Sequence, residues 1–183
     1  EYHVRDAGGT EHGGQDTSAT ATFTFDMRSV NDAPVLTIAV PDHESACIDY
    51  TVGGEPMLLA PDASVSDVEL DALNGGDGNW SGATITVRRQ GGANAEDLFG
   101  HQGFDGPVPP PLVWNDEAGT ITKDGAVIAT FSNENGELHI HFTGFGSYIP
   151  TTEDVNTLLR QITYRNSSPL PEDQGVIEYV VSD

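Results

Sequence analysis

The chain has 183 residues, with 29 aspartates and glutamates against seven lysines and arginines, a formal net charge of −22. So acidic a surface repels phosphate backbones and anionic lipid head groups, which excludes nucleic-acid binding; no apolar run approaches the ~20 residues that span a bilayer, so no membrane insertion is expected. One cysteine excludes an internal disulfide framework and a multi-cysteine zinc site, while 21 glycines and 11 prolines break the apolar residues into short Val-, Ile-, Thr-, Phe- and Tyr-rich runs, the composition of strands and not of a disordered chain.

In chain order, residues 1–6 alternate as a strand and a Gly-rich polar loop follows to Ser18. Residues 20–30 alternate over about ten positions, with Phe23 and Phe25 on one face, and predict a long half-buried strand. Asn31-Asp32-Ala33-Pro34 stops it, because Pro34 has no N–H for a ladder. Further strands are predicted at 35–40, 48–52, 57–60, 83–88, 120–122, 127–131, 138–142, 161–164 and 176–181. A Gly- and Pro-rich excursion between Phe99 and Trp114, including Pro109, Pro110 and Pro111, predicts a long stiff loop. One helix is expected over 152–160. Thr151, Thr152, Glu153 and Asp154 offer a cap and first-turn carboxylates, and Val155, Leu158, Leu159 and Ile162 recur at helical spacing. Short strands with regular turn signals and a single short helix predict an all-β sandwich.

The chain also repeats itself. Glu1-Tyr2-His3-Val4-Arg5-Asp6 returns as Glu178-Tyr179-Val180-Val181-Ser182-Asp183, with four of six positions identical. A self-match at fixed spacing is the mark of a tandem array. The expected organisation is a C-terminal hairpin and linker of one repeat over 1–33, then one module over 34–183 whose last strand is missing or supplied by residues 19–30. The tandem array makes neighbouring repeats of the same chain the expected partners, and open strand edges in such a layout predict a strand-exchanged dimer.

The junction Val30-Asn31-Asp32-Ala33-Pro34 resembles the linker of bacterial cadherin-like tandem repeats of the VCBS and RTX-adhesin type. Tyr50-Thr51-Val52-Gly53-Gly54-Glu55, then Ala63-Ser64-Val65-Ser66-Asp67-Val68-Glu69, resemble the early strands of those modules. Gly82 to Val87, Val155 to Arg160, Ile162 to Pro169 and Ile177 to Asp183 fit their later segments in the same order. The resemblance implies an Ig- or cadherin-like Greek-key sandwich that extends or adheres at a bacterial cell surface or in a secreted protein. It also implies bound calcium, with Asn31, Asp32, Asp67 and Glu69 as ligands. Asp6 ends the incoming strand near the same linker, and Asp71 lies close behind Glu69. An acidic, cysteine-poor, turn-rich β chain fits an extracellular setting.

Calcium takes six to eight hard oxygen ligands, which clustered carboxylates supply. The plain alternative is that these acids are solvated turn residues. On an extended segment Asp67 and Glu69 would share one side. Asp42 and Glu44 are weaker candidates, and Asp71, Asn74, Asp77 and Asn79 form a second candidate loop that lacks the final glutamate of an EF-hand. His139 and His141 would share a strand face, either as a metal pair or as solvent-facing residues alternating with a core.

No nucleophile elbow, zinc-protease motif or Walker loop is present, and Cys47 has no evident basic partner, so no enzyme is expected. Trp80, Phe104 and Trp114 lie in or near loops, where they either stack on a glycan or protein ligand or plug the sandwich ends. The alternatives to an extender are thus a glycan- or protein-binding module using residues 99–118, and an accessory domain of a large secreted enzyme or toxin.

Overall fold

The computed structural model describes residues 1–28, 30–38, 48–102, 112–144 and 148–183. These fall into two compact units, Glu1–Asn31 and Asp32–Asp183. Asp42, Glu44, Cys47, Phe104 and the triple proline lie outside the described residues.

In the first unit, the two strands expected over 1–6 and 20–30 are reduced to isolated antiparallel bridges, Tyr2 with Ala21 and Arg5 with Thr17. Tyr2 and Ala21 exchange both backbone hydrogen bonds at 3.0 Å, Ser18 N donates to Val4 O at 2.8 Å, and Asp6 N donates to Asp16 O at 2.7 Å. A 3₁₀ turn at Glu11–Gly13 lies in the connecting loop. The reason for the shortfall is burial. A two-stranded ribbon has no third strand or helix to cover its apolar face, and no described residue of this unit is buried.

The second unit is an all-β antiparallel sandwich with two short helices. Its strands are β1 (Val35–Thr37), β2 (Met57–Leu58), β3 (Ser64–Ser66), β4 (Thr84–Arg89), β5 (Asp97–His101), β6 (Val113–Asn115), β7 (Thr120–Lys123), β8 (Ala126–Glu134), β9 (Glu137–Phe142), β10 (Ile162–Asn166) and β11 (Ile177–Ser182). The helices are α1 (Val68–Ala72) and α2 (Thr152–Gln161). The large sheet runs in the order β11-β4-β9-β8-β7-β6, a three-stranded sheet runs β2-β10-β5, and β1 pairs with β3.

The large sheet shows why its residues chose strands. Cross-strand rows on its inner side are apolar: Phe131, Ile140, Ile85 and Val181 form one, and Leu138, Val87 and Tyr179 continue the next. The outer rows are polar, as in Thr120, Thr130, His141, Thr84 and Ser182. One buried face with one wet face is the period-two pattern of an antiparallel sheet. The β7–β8 and β8–β9 hairpins turn at Asp124-Gly125 and Asn135-Gly136, with φ of 50° and 80°, and 54° and 80°. Those are the left-handed angles a two-residue type I′ hairpin requires.

Helix α2 begins with a capping box. Thr151 Oγ1 accepts from Asp154 N, and the Asp154 carboxylate accepts from Thr151 N at 3.0 Å. Val155, Leu158, Leu159 and the following Ile162 are buried and join both sheets in one core with Trp80, Ile85, Ile128, Phe142 and their neighbours.

Two strands and one helix were not expected, whereas β3 falls within the 63–69 segment that resembles an early strand. β5 and β6 are short or carry Asp, Gly and Asn, residues that disfavour strands intrinsically; β5 exists because all five of its residues pair with β10. The strand expected over 48–52 is absent: Gly54 N donates to Thr51 O, closing a turn there instead.

Candidate functional site

The oxygen ligands singled out by sequence separate into two groups. Asp6 and Asn31 belong to the first unit, where Asp6 is exposed and its Oδ1 accepts from Gly8 N at 2.7 Å in a local turn. Asp32, Asp67, Glu69 and Asp71 belong to the second. There the register pairs Val35, the first residue of β1, with Ser66, the last of β3. The chain entering β1 from exposed Asp32 and the chain leaving β3 into Asp67 therefore meet at the same end of that strand pair. Ala33 and Pro34 alone separate Asp32 from Val35, a reach of at most about 11 Å.

Asp67 and Glu69 do not lie on an extended segment. Asp67 itself is extended, with φ −147° and ψ 134°, but it caps α1. Its Oδ1 accepts from Glu69 N at 3.0 Å and Leu70 N at 2.7 Å. Aspartate is a preferred cap because its carboxylate satisfies the free N–H groups of a first turn. Asp71 closes the turn from the other side. Its Oδ2 accepts from Asp67 N at 3.0 Å and its Oδ1 from Thr152 Oγ1 at 2.5 Å. Thr152 Oγ1 in turn accepts from Trp80 Nε1 at 3.0 Å, tying α1 to the start of α2.

Two carboxylate oxygens in this turn are left over. Asp67 is only 4% exposed, and its Oδ2 has no hydrogen-bond partner among the described residues. Glu69 Oε2 is likewise shut off from solvent and unpartnered. A buried oxygen without a donor is costly, and far more so when it carries charge. Among the described residues no group of three or more His, Cys, Asp or Glu side chains is placed to hold a metal ion. The second candidate loop folds otherwise: Asn74–Gly76 is a 3₁₀ turn, Asp77 O accepts from Thr152 N, and Asn79 Oδ1 accepts from Ser81 N.

The aromatic candidates also separate. Trp80 is fully buried in the core, so it plugs the sandwich and presents no ring to a ligand. Trp114 is half-buried beside an open cleft of about 690 Å³, lined by Phe99, His101, Gln102, Asp116 and Asn133 among others. His101 stacks on the indole at 4.9 Å, Phe131 meets it edge-on at 5.0 Å, and its Nε1 donates to Gln161 Oε1 at 2.9 Å. His139 and His141 both face outward on β9, but the His139 ring nitrogens already meet Thr86 Oγ1 at 3.0 Å and Glu137 Oε1 at 2.6 Å.

Sequence reasoning missed the strongest electrostatic constellation. Asp97, on β5, is fully buried and accepts four hydrogen bonds: from Arg89 Nε and Nη2 at 2.8 and 2.7 Å, Tyr164 OH at 2.7 Å and Asn166 Nδ2 at 2.8 Å. Burial pushes its carboxyl pKa up, but these donors outweigh burial and hold it below the ordinary 3.8. Arginine was the available signal: only seven cations serve 29 acids, and one stands at the end of an apolar strand.

No protein-family model, curated protein or solved structure matches this chain.

Proposed function

We propose that this chain is a calcium-stiffened, non-catalytic extender or adhesion module of a bacterial surface or secreted repeat protein. The observation that carries the reading is the unpartnered, buried Asp67 Oδ2, accompanied by Glu69 Oε2 in the same turn. Calcium accepts such oxygens and completes its shell with carbonyl oxygens and water, so two carboxylates are a sufficient start. The chain entering β1 from Asp32 reaches the same end of the β1–β3 pair, where its carbonyl oxygens would complete such a shell. The repeated hexapeptide, the β-sandwich and the −22 charge support the same reading. A cation there would turn repulsion between neighbouring carboxylates into cohesion. No helix of the described residues is long and apolar enough to cross a membrane. The ligand-binding alternative has less support, because Trp80 is sealed in the core and Trp114 is packed against His101 and Phe131.

Thermal melts in 5 mM calcium and in EGTA test the proposal. At about 100 times its dissociation constant, one ion contributes roughly 2.7 kcal/mol. In a chain of this size that is an upward shift of roughly 5–10 °C. The Asp67→Asn/Glu69→Gln double variant is expected to melt at one temperature in both buffers. A wild-type melting point indifferent to calcium would sink the proposal.

A further inference from the structure

We propose that β11 presents an open edge built to receive the 17–27 segment of a second copy of this chain, in a register already written in residues 1–6. The inference is independent of the calcium reading.

Among the described residues β11 pairs with β4 alone and ends the order of the large sheet. It is six residues long and carries no proline or lysine, two common devices for blunting an exposed edge. The phase of its free hydrogen-bonding groups follows from its neighbour. Gln90 N donates to Val176 O at 2.8 Å, so that pair is hydrogen-bonded. Antiparallel pairs alternate, and the even-numbered residues of β11 therefore turn their backbone groups toward β4. The N–H and C=O groups of Ile177, Tyr179 and Val181 point to the open side.

The hexapeptide echo shows what those groups bind. Tyr179 and Val181 correspond to Tyr2 and Val4. Tyr2 exchanges both of its backbone bonds with Ala21, and Val4 O accepts from Ser18 N. The residues whose backbone is free in β11 are thus the ones whose counterparts are engaged in the earlier copy of the motif.

The donor segment has a matching need. Ala21 sits opposite Tyr2, so in an extended segment Ala21, Phe23, Phe25 and Met27 share the face of Tyr2. Phe23, Phe25 and Met27 are 72%, 63% and 85% exposed, and the two phenyl rings lie 5.7 Å apart. With Ala21 of one copy released from its own Tyr2 and set opposite Tyr179 of another, Phe23 falls opposite Ile177. It then lies on the side where Ile177, Tyr179 and Val181 pack against the core. One contact satisfies an open edge and covers an open apolar face. Because donor and acceptor are different surfaces, two copies close by reciprocal exchange, and one-way donation builds head-to-tail chains.

Sedimentation velocity of the full chain from about 5 to 200 μM reads the association. Dimers or longer assemblies are expected to grow with concentration and to revert to monomer in Phe23→Asp/Phe25→Asp, whose substituted side chains are exposed. A second measurement reads the register. In a Cys47→Ser background, a Thr17→Cys chain mixed with a Ser182→Cys chain, the counterpart of the Arg5–Thr17 bridge, is expected to form a disulfide-linked pair, at least tenfold more than Thr17→Cys mixed with Glu178→Cys. A clean monomer at 200 μM overturns the proposal, as does an assembly indifferent to the Phe23/Phe25 change or equal cross-linking at residues 178 and 182.

Discussion

Asp97 has a donor on each of its carboxylate oxygens, and Asp67 does not. Both are buried aspartates in a chain with too few cations, and the contrast separates structure from function. The four donors around Asp97 leave neither of its oxygens unpartnered. Removing one partner of a buried pair typically costs roughly 3–5 kcal/mol, because the other charge stays behind. Asp97→Asn is accordingly expected to lower stability by about 3 kcal/mol at pH 7 in urea titrations. The pH dependence carries a sign. The carboxyl pKa of Asp97 is lower in the folded chain than its ordinary 3.8. Its contribution is therefore complete above about pH 4, and it is lost as the pH falls through the folded value, because the unfolded chain takes up the proton first. The wild type is expected to lose stability more steeply than Asp97→Asn below pH 4, and parallel curves would contradict the assignment. Asp67 was legible in the sequence as an acid of interest, but its role as a helix cap was not. The cap depends on a five-residue turn too short to show a hydrophobic period.

Strands were legible where alternation was strong and illegible where pairing alone made them. The rows through Ile85, Leu138, Ile140 and Phe142 announce β4 and β9, and the Thr151 cap with the Val155, Leu158, Leu159 spacing announces α2. β5 contains Asp97 and Gly100 and becomes a strand only beside β10. The opposite failure is 20–30, whose alternation is the clearest in the chain and whose strand does not form here, since nothing among the described residues covers Phe23 and Phe25. The hairpins give a test at this scale. Gly125 and Gly136 both sit at φ 80°, where a side chain is strained. A Cβ on Gly125 would meet open space, whereas one on Gly136 would collide with the backbone carbonyl of Asn94. Gly125→Ala is expected to cost about 1 kcal/mol, the strain alone. Gly136→Ala is expected to cost at least twice as much in the same urea titration. Equal losses would mean that Asn94 does not hold the 135–136 turn from below.

Charge is the property of the whole molecule that its parts explain least well. Of the seven cations, Arg5, Arg88, Arg89, Lys123 and Arg160 are held by specific acids among the described residues, and the 29 acids far outnumber them. A net charge of −22 on 183 residues destabilises the compact state by self-repulsion. Monovalent salt relieves that repulsion without any site, since the screening length falls from about 30 Å at 10 mM to about 10 Å at 100 mM. The wild type is therefore expected to melt at rising temperature as sodium chloride increases from 10 to 500 mM, and Asp67→Asn/Glu69→Gln to follow with a similar slope. Calcium at low millimolar concentration adds little ionic strength. An increment seen with calcium but not with sodium chloride of equal ionic strength, and missing from the double variant, belongs to the Asp67–Glu69 turn. If sodium chloride reproduces the whole increment, calcium acts only as a counterion and the buried Asp67 oxygen is satisfied by something other than a metal.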